Sequence, residues 1–162
     1  INNAGMNKVD HVQNIDDKDW ENILNLNLSI PFKLTRLISK KMINNKYGRI
    51  VNIGSIFSSI SKEKRASYSS SKFGLIGLTK SSAHDLANRG ILVNAVSPGF
   101  VKTSLTKKIL SGNEIRKLSS AIPMKRMAIP KEITSCVLFL SSSENTYITG
   151  QNVIIDGGFS SK

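Results

Sequence analysis

The chain has 162 residues, 40% hydrophobic and 21% charged, a balance that excludes a disordered segment and suits one globular domain with a core. Its 23 basic against 11 acidic side chains give a net charge of +12, which raises a nucleic acid or an acidic surface as partner. A single cysteine, Cys136, excludes an internal disulfide framework and a multi-cysteine zinc site, and no apolar run approaches the ~18 residues of a membrane span.

The chain opens on Asn2-Asn3-Ala4-Gly5, a turn of small residues against which a cofactor can pack. After Asp16-Asp17, apolar residues from Trp20 to Met42 recur at helical spacing and predict a long helix over about Asp17–Asn44, with Pro31 inside it and expected to bend it. Its apolar residues run round much of its girth, so burial on more than one side is expected. Arg49 to Gly54 and Ile91 to Val96 are short, β-branched and unalternating, as buried parallel strands are. Between them a second helix spans about Ser67–Arg89 and stops at Gly90. Residues 100–128 read as mixed, with short helical stretches. Pro130 opens a helix through about Ser142, and Asn152 to Ile155 form a last strand, closed by Asp156-Gly157-Gly158. Helices alternating with buried strands predict an α/β fold with a parallel sheet.

Tyr68 and Lys72 lie four apart and so share one helix face. An ammonium beside a phenol stabilises the phenolate and lowers the tyrosine pKa, the direction that general acid–base work needs. Alone, such a pair is common on a solvated helix face. Ser55 lies thirteen residues before Tyr68, just past a predicted strand, where a hydroxyl either meets a substrate oxygen or caps a turn. Pro98-Gly99 also leaves a strand, and reads as an ordinary exit or as backbone passing close to a bound ring, with Gly99 keeping the approach open.

In this order and spacing the pieces resemble the short-chain dehydrogenases/reductases, in their compact single-domain branch. The matching stretches are Asn2 to Gly5, Trp20 followed by Asn27, Gly48 to Ser55, Tyr68 to Lys72, Asn94 to Thr103, and Ile148 to Gln151 through Gly158. The resemblance implies the C-terminal two-thirds of a Rossmann-type doubly wound parallel sheet. It implies hydride transfer between NAD or NADP, with NADP favoured, and a small-molecule or carrier-bound carbonyl substrate. Tyr68 is then the catalytic acid/base, and Lys72 lowers its pKa and holds the nicotinamide ribose. Ser55 orients and polarises the substrate carbonyl, and Asn27 holds a water in the proton relay with Lys72. Asn3, Ala4 and Gly5 lie beside the adenosine ribose; Pro98, Gly99, Val101 and Thr103 embrace the nicotinamide. Residues 100–128, with Leu105, Ile109, Leu110, Ile115 and Met124, form the substrate lid, and Phe100 is placed equally well in a pocket or in plain packing. A cytoplasmic homotetramer or homodimer, pairing through the two long helices, is implied as well.

The chain departs from the family at its front. The family's glycine-rich turn and first strands have no counterpart, so the 162 residues are expected to be part of a longer enzyme and inactive by themselves. The strand at Arg49–Gly54 would then have a bare edge. Ser61 to Arg65 is more basic than usual for the family and reads as a solvated loop ahead of an anion-preferring mouth. His11 and His84 have no spacing that suggests a metal, and Lys107-Lys108 and Lys125-Arg126 read as solvated charge. The string Asn94 to Val101 and the ending favour a 3-oxoacyl-[acyl-carrier-protein] reductase-like enzyme, ahead of a relative working on sugars or polysaccharide precursors. An extended sugar-nucleotide epimerase or dehydratase needs a long substrate domain after Gly99, which the sequence lacks. An inactive fragment or basic nucleic-acid binder is disfavoured by the intact Asn-Ser-Tyr-Lys set and by basic residues scattered without interleaved aromatics.

Overall fold

The computed structural model describes residues 1–104, 106 and 110–161. Three parallel strands, β1 (Gly48–Ile53), β2 (Ile91–Pro98) and β3 (Asn152–Ile155), form a sheet in that order. Gly48 faces Ile91 and Ile53 faces Val96 across the first pair; Ala95 faces Asn152 across the second. The strands lack alternation because both faces of the sheet are covered. On one face Ile50, Ile91 and Val93 pack with Ala83 and Leu86 of α3 (Ala66–Leu86), and with Met42 and Ile43 of α2 (Ile30–Asn45). On the other, Val51 and Val96 meet Ile133, Val137 and Leu140 of α5 (Pro130–Ser141), with Cys136 partly buried beside them. Two further helices are α1 (Asp17–Leu24) and α4 (Gly112–Ala121). Among the described residues no helix is long and apolar enough to cross a membrane.

The long helix expected over 17–44 is two helices around a widened turn. Asp16 caps α1 by accepting the Asp19 N–H at 2.7 Å. At Asn25–Ser29 the hydrogen bonds lengthen by one residue, the Ile30 N–H reaching back to the Asn25 carbonyl, and α2 then begins with Pro31 at its second position. The cause is Pro31. It has no N–H to offer the Asn27 carbonyl four residues back, and its ring would collide with it; one extra residue in the turn removes the conflict. Burial on more than one side is not what α2 shows. It buries the stripe Pro31, Thr35 and Ser39, while Phe32, Leu34, Leu37 and Ile38 stay 44–60% exposed.

Among the described residues the outer edge of β1 is covered at its carboxyl end alone, by one residue, and is otherwise without a strand partner, as expected. Asn2 pairs with it in parallel, donating its N–H to the Val51 carbonyl and accepting the Ile53 N–H, both at 2.9 Å. Its side-chain amide donates to Asn52 Oδ1 at 2.8 Å, and Asn52 donates to Thr79 of α3 at 2.9 Å, so buried polar residues tie the edge to the helix layer.

A second polar chain clasps the carboxyl ends of the strands. The Gly54 N–H donates to the Val96 carbonyl at 2.7 Å, the Ser58 and Ser97 hydroxyls share a hydrogen bond of 2.9 Å, and Ser97 donates to Asn152 Oδ1 at 2.6 Å. Gly54 makes this possible, because a Cβ there would fall on Ser97 Oγ. Gly54→Ala should therefore cost about 1–3 kcal/mol, the range for overpacking a well-filled site. The check is the urea midpoint of the protein carrying this chain, which should fall with little change in slope.

Candidate active site

β1 ends at Ile53 and delivers Gly54-Ser55 to the carboxyl edge of the sheet. Ser55 caps the short helical turn Ile56–Ser58, its Oγ accepting the Phe57 N–H at 3.2 Å, while the Ser58 hydroxyl donates to the Ser55 carbonyl at 2.5 Å. The capping reading is thus correct, and it also fixes the hydroxyl against α3. Tyr68 and Lys72 stand one turn apart on that helix, as their spacing requires. Lys72 is 4% exposed; its Nζ donates to the Ile53 carbonyl at 2.7 Å and lies 5.8 Å from the centre of the Tyr68 ring. Ser55, Tyr68 and Lys72 therefore converge on the end of β1.

Burial lowers the Lys72 pKa to about 8. Burial also raises the Tyr68 phenol above its ordinary value, while a hydrogen bond with Ser55 and the charge of Arg65 pull it back. The charge of Arg65 also pulls on the phenol, and the Lys72 ammonium, one turn away and expected to lower it, donates to the Ile53 carbonyl.

Asn27 sits at the centre of the widened turn and is fully buried. Its side chain donates to the Met6 carbonyl at 2.9 Å and to Ser71 Oγ at 3.0 Å, and accepts the Met6 N–H at 2.9 Å. Ser71 passes its own proton to the Tyr68 carbonyl at 2.7 Å. The amide is spent on holding the opening segment to the Tyr68 turn. The group of Asn27 left without its α-helical donor is the main-chain carbonyl opposite Pro31. Asn3, Ala4 and Gly5 follow Asn2 along the sheet edge and are exposed, and a Cβ on Gly5 would lie 3.4 Å from Asn27 Oδ1 and 3.6 Å from Lys72 Nζ.

Beyond β2, Pro98-Gly99 turns into the loop that carries Val101 and Thr103. Gly99 also has a packing reason to be glycine: a Cβ there would come within 2.7 Å of Asp156 Cβ, so its bareness admits the loop after β3. Val101 pairs with Ala128, and its carbonyl accepts from Thr106 Oγ1 at 2.9 Å, while the Thr103 and Thr106 hydroxyls share a hydrogen bond of 2.8 Å. A cavity of about 400 Å³ opens here, lined by Tyr68, Gly99, Val101 and Thr103 together with Asn7 and Phe100. A neighbouring cavity of about 510 Å³ is lined by Phe57, Lys62, Phe159 and the α4 residues Lys117, Leu118 and Ala121. Phe100 and Leu110 border both, and Phe100 meets Phe159 edge to face at 5.2 Å. Phe100 thus belongs to the pocket wall. Of the apolar residues assigned to the lid, Leu110 lines the cavities, Ile115 is half-buried and Met124 is 59% exposed, while Ile122 and Met127, not singled out from sequence, are buried. Leu105 and Ile109, like Lys107 and Lys108, lie outside the described residues.

An ammonium has three N–H donors, and among the described residues the Ile53 carbonyl is the one acceptor Lys72 has. Spare donors beside an open cleft suit the vicinal hydroxyls of a cofactor ribose. The Ser55 and Tyr68 hydroxyls offer two donors to one carbonyl oxygen, and Tyr68 a transferable proton. Phe57, Asn7, Ser71, Phe159 and Arg65 were not visible as site residues in the sequence. Only Arg65, three positions before Tyr68 at the start of the same helix, carried a signal that could have been followed.

Residues 1–160 match the family model described as enoyl-(acyl carrier protein) reductase. The 3-oxoacyl-[acyl-carrier-protein] reductase FabG of Buchnera aphidicola subsp. Schizaphis graminum is 44% identical over 98% of the chain and 64% of its own length. Nodulation protein G of Rhizobium meliloti is 39% identical over the same shares. Among solved structures, a gluconate 5-dehydrogenase from Burkholderia cenocepacia in complex with NADP and tartrate superposes with a TM-score of 0.94 at 28% identity, over 99% of this chain and 64% of that one. A 4-hydroxyisoleucine dehydrogenase mutant complexed with NADH and succinate gives 0.94 at 35% identity, over 99% and 67%. The chain spans about 64% of the length of the curated relatives it matches, and its fold is the corresponding part of a Rossmann-type parallel sheet. On its motifs, its fold and these likenesses, the chain belongs to the short-chain dehydrogenase/reductase family.

Proposed function

We propose that the protein carrying this chain is an NAD(P)-dependent oxidoreductase acting on a carbonyl/alcohol pair, similar to the 3-oxoacyl-[acyl-carrier-protein] reductases. The observation that carries the reading is the convergence of Ser55, Tyr68 and Lys72 at the end of β1, beside the cavity walled by Gly99, Val101 and Thr103. When bound, the nicotinamide supplies or accepts the hydride. Ser55 and Tyr68 donate to the carbonyl oxygen as charge develops on it, and Tyr68 delivers the proton. Lys72 holds the ribose hydroxyls with its remaining donors, Asn3, Ala4 and Gly5 border the adenosine side, and Pro98 to Thr103 cover the nicotinamide. Asn27 acts by position, keeping the opening segment and the Tyr68 turn in place. NADP is placed ahead of NAD, and the cytoplasm as location, on the family resemblance. A substrate from sugar or polysaccharide metabolism is the second reading, supported by the gluconate dehydrogenase among the structural neighbours.

For assembly we take the apolar face of α2, with Phe32, Leu34, Leu37 and Ile38, and Phe73 of α3, as the surface on which a second copy docks; these side chains are exposed in the single chain.

Three measurements test this. Following nicotinamide absorbance with acetoacetyl thioester and sugar ketones, Tyr68→Phe should lose about 10²–10⁴ in kcat while cofactor binding, read by fluorescence, persists. Light scattering should find a dimer or tetramer that Leu37→Glu dissociates. The buried Lys72 sets a pH dependence. Below about pH 8 the folded protein holds a desolvated ammonium that the unfolded chain, titrating near 10.5, keeps in water; above 10.5 both forms are neutral and the penalty vanishes. Inactive Lys72→Met should therefore be more stable than the wild type by about 1–3 kcal/mol at pH 7, with the gap closing as pH rises from 8 to 10.5, measured by urea unfolding.

A further inference from the structure

Asn7 is the polar side chain of the reacting cavity that the fold does not use. It lines the same cavity as Tyr68, Gly99, Val101 and Thr103. The other polar side chains of that wall are committed. The Thr106 hydroxyl donates to the Val101 carbonyl at 2.9 Å, so Thr103 is the donor in the 2.8 Å bond between the two hydroxyls, and it also accepts the Thr106 N–H at 3.1 Å. The Tyr68 phenol is bonded to Ser55. Phe100, Leu110 and Met127 supply the apolar part, and none of the residues lining this cavity carries a formal charge. The Asn7 side chain is exposed and has no hydrogen-bond partner among the described residues, so both donors of its amide are available to a ligand. Its flanks, by contrast, are anchored. The Asn27 amide takes both the N–H and the carbonyl of Met6 at 2.9 Å, and the Lys8 ammonium pairs with Asp19 of α1 and lies 3.8 Å from Asp16, the cap of that helix. Fixed flanks reduce the ordering cost that a loop residue pays when it binds.

We infer that Asn7 orients the substrate, its amide N–H donating to a second carbonyl set one carbon away from the reacting one. The inference rests on the hydride-transfer reading above and deepens it, giving the thioester group of a 3-oxoacyl substrate its own partner. Ser55 and Tyr68 serve the reacting carbonyl. The thioester oxygen beside it needs another donor, and a pocket of this kind fixes its ligand with few, placed polar groups. A neutral amide in an uncharged wall suits a neutral carbonyl. With both carbonyls held, the carbon between them cannot turn, and the reacting carbon keeps one orientation toward the hydride. Asn27 then acts through Met6 as a positioning residue for Asn7.

The test uses the full-length enzyme and a matched pair of ketones: acetoacetyl-N-acetylcysteamine, and the thioether in which a methylene replaces its thioester carbonyl. kcat/KM is measured for both in the wild type, Asn7→Ala and Asn7→Asp, the last nearly isosteric but without the N–H donor. Both variants should lower the thioester-to-thioether ratio about three- to tenfold, the worth of a neutral hydrogen bond. The intrinsic reactivity of the two ketones is common to all three proteins and cancels. Cofactor affinity, read by fluorescence, should stay at the wild-type value. A ratio equal to the wild type's in either variant overturns the inference and leaves the hydride-transfer reading standing, as does weakened cofactor binding with the ratio unchanged, which moves Asn7 to the cofactor. A wild type that reduces sugar ketones and neither member of the pair also overturns the inference alone. No turnover of any ketone, with cofactor shown to bind, overturns both.

Discussion

The three residues Ile53-Gly54-Ser55 carry more of this structure than any other stretch of equal length. The Ile53 carbonyl takes the Lys72 ammonium, and its N–H takes the Asn2 carbonyl. The Gly54 N–H goes to Val96, and Ser55 turns the chain and faces the Tyr68 hydroxyl. A parallel strand presents its carbonyl and N–H groups to both neighbours until it ends, and where it ends those groups must find other partners. Here they find the side chains of the site. The chemistry and the termination of β1 are one hydrogen-bonding solution.

That solution places an ammonium and a phenol where water is scarce, and both respond by drifting toward their neutral forms. For Tyr68 the drift runs away from the neutral range that proton transfer favours, so the Ser55 hydrogen bond and the Arg65 charge act against it, and for Lys72 it works against a permanent cation. The surrounding polar chains, Asn2–Asn52–Thr79 on one side and Ser58–Ser97–Asn152 on the other, are satisfied throughout and hold the site rigid without contributing charge. The site is thus a small desolvated region framed by neutral hydrogen bonds, with the Lys72 ammonium inside it.

Much of the fold was legible in the sequence. Each strand is a β-branched run ending in a turn signal, and helix spacing and strand ends, being local properties, marked Tyr68, Lys72 and Ser55 as candidates whose roles the family resemblance then supplied. Less legible were features set by packing between distant segments. Gly99 read as a glycine beside a cofactor, and its close approach to Asp156, fifty-seven residues on, could not be read from its position. The apolar girth of the 17–44 region suggested burial, but a helix's own periodicity does not say which faces the rest of the chain covers.

The widened turn at Asn25–Ser29 has a geometric consequence for the helix after it. One additional residue in a helix of 3.6 residues per turn advances everything downstream by about 100° around the axis. Pro31 thereby sets the azimuth of α2 relative to α1. A residue usually read as a helix breaker serves in this chain as a rotational offset, aiming one surface while leaving Asn27, at the pivot, turned toward the site.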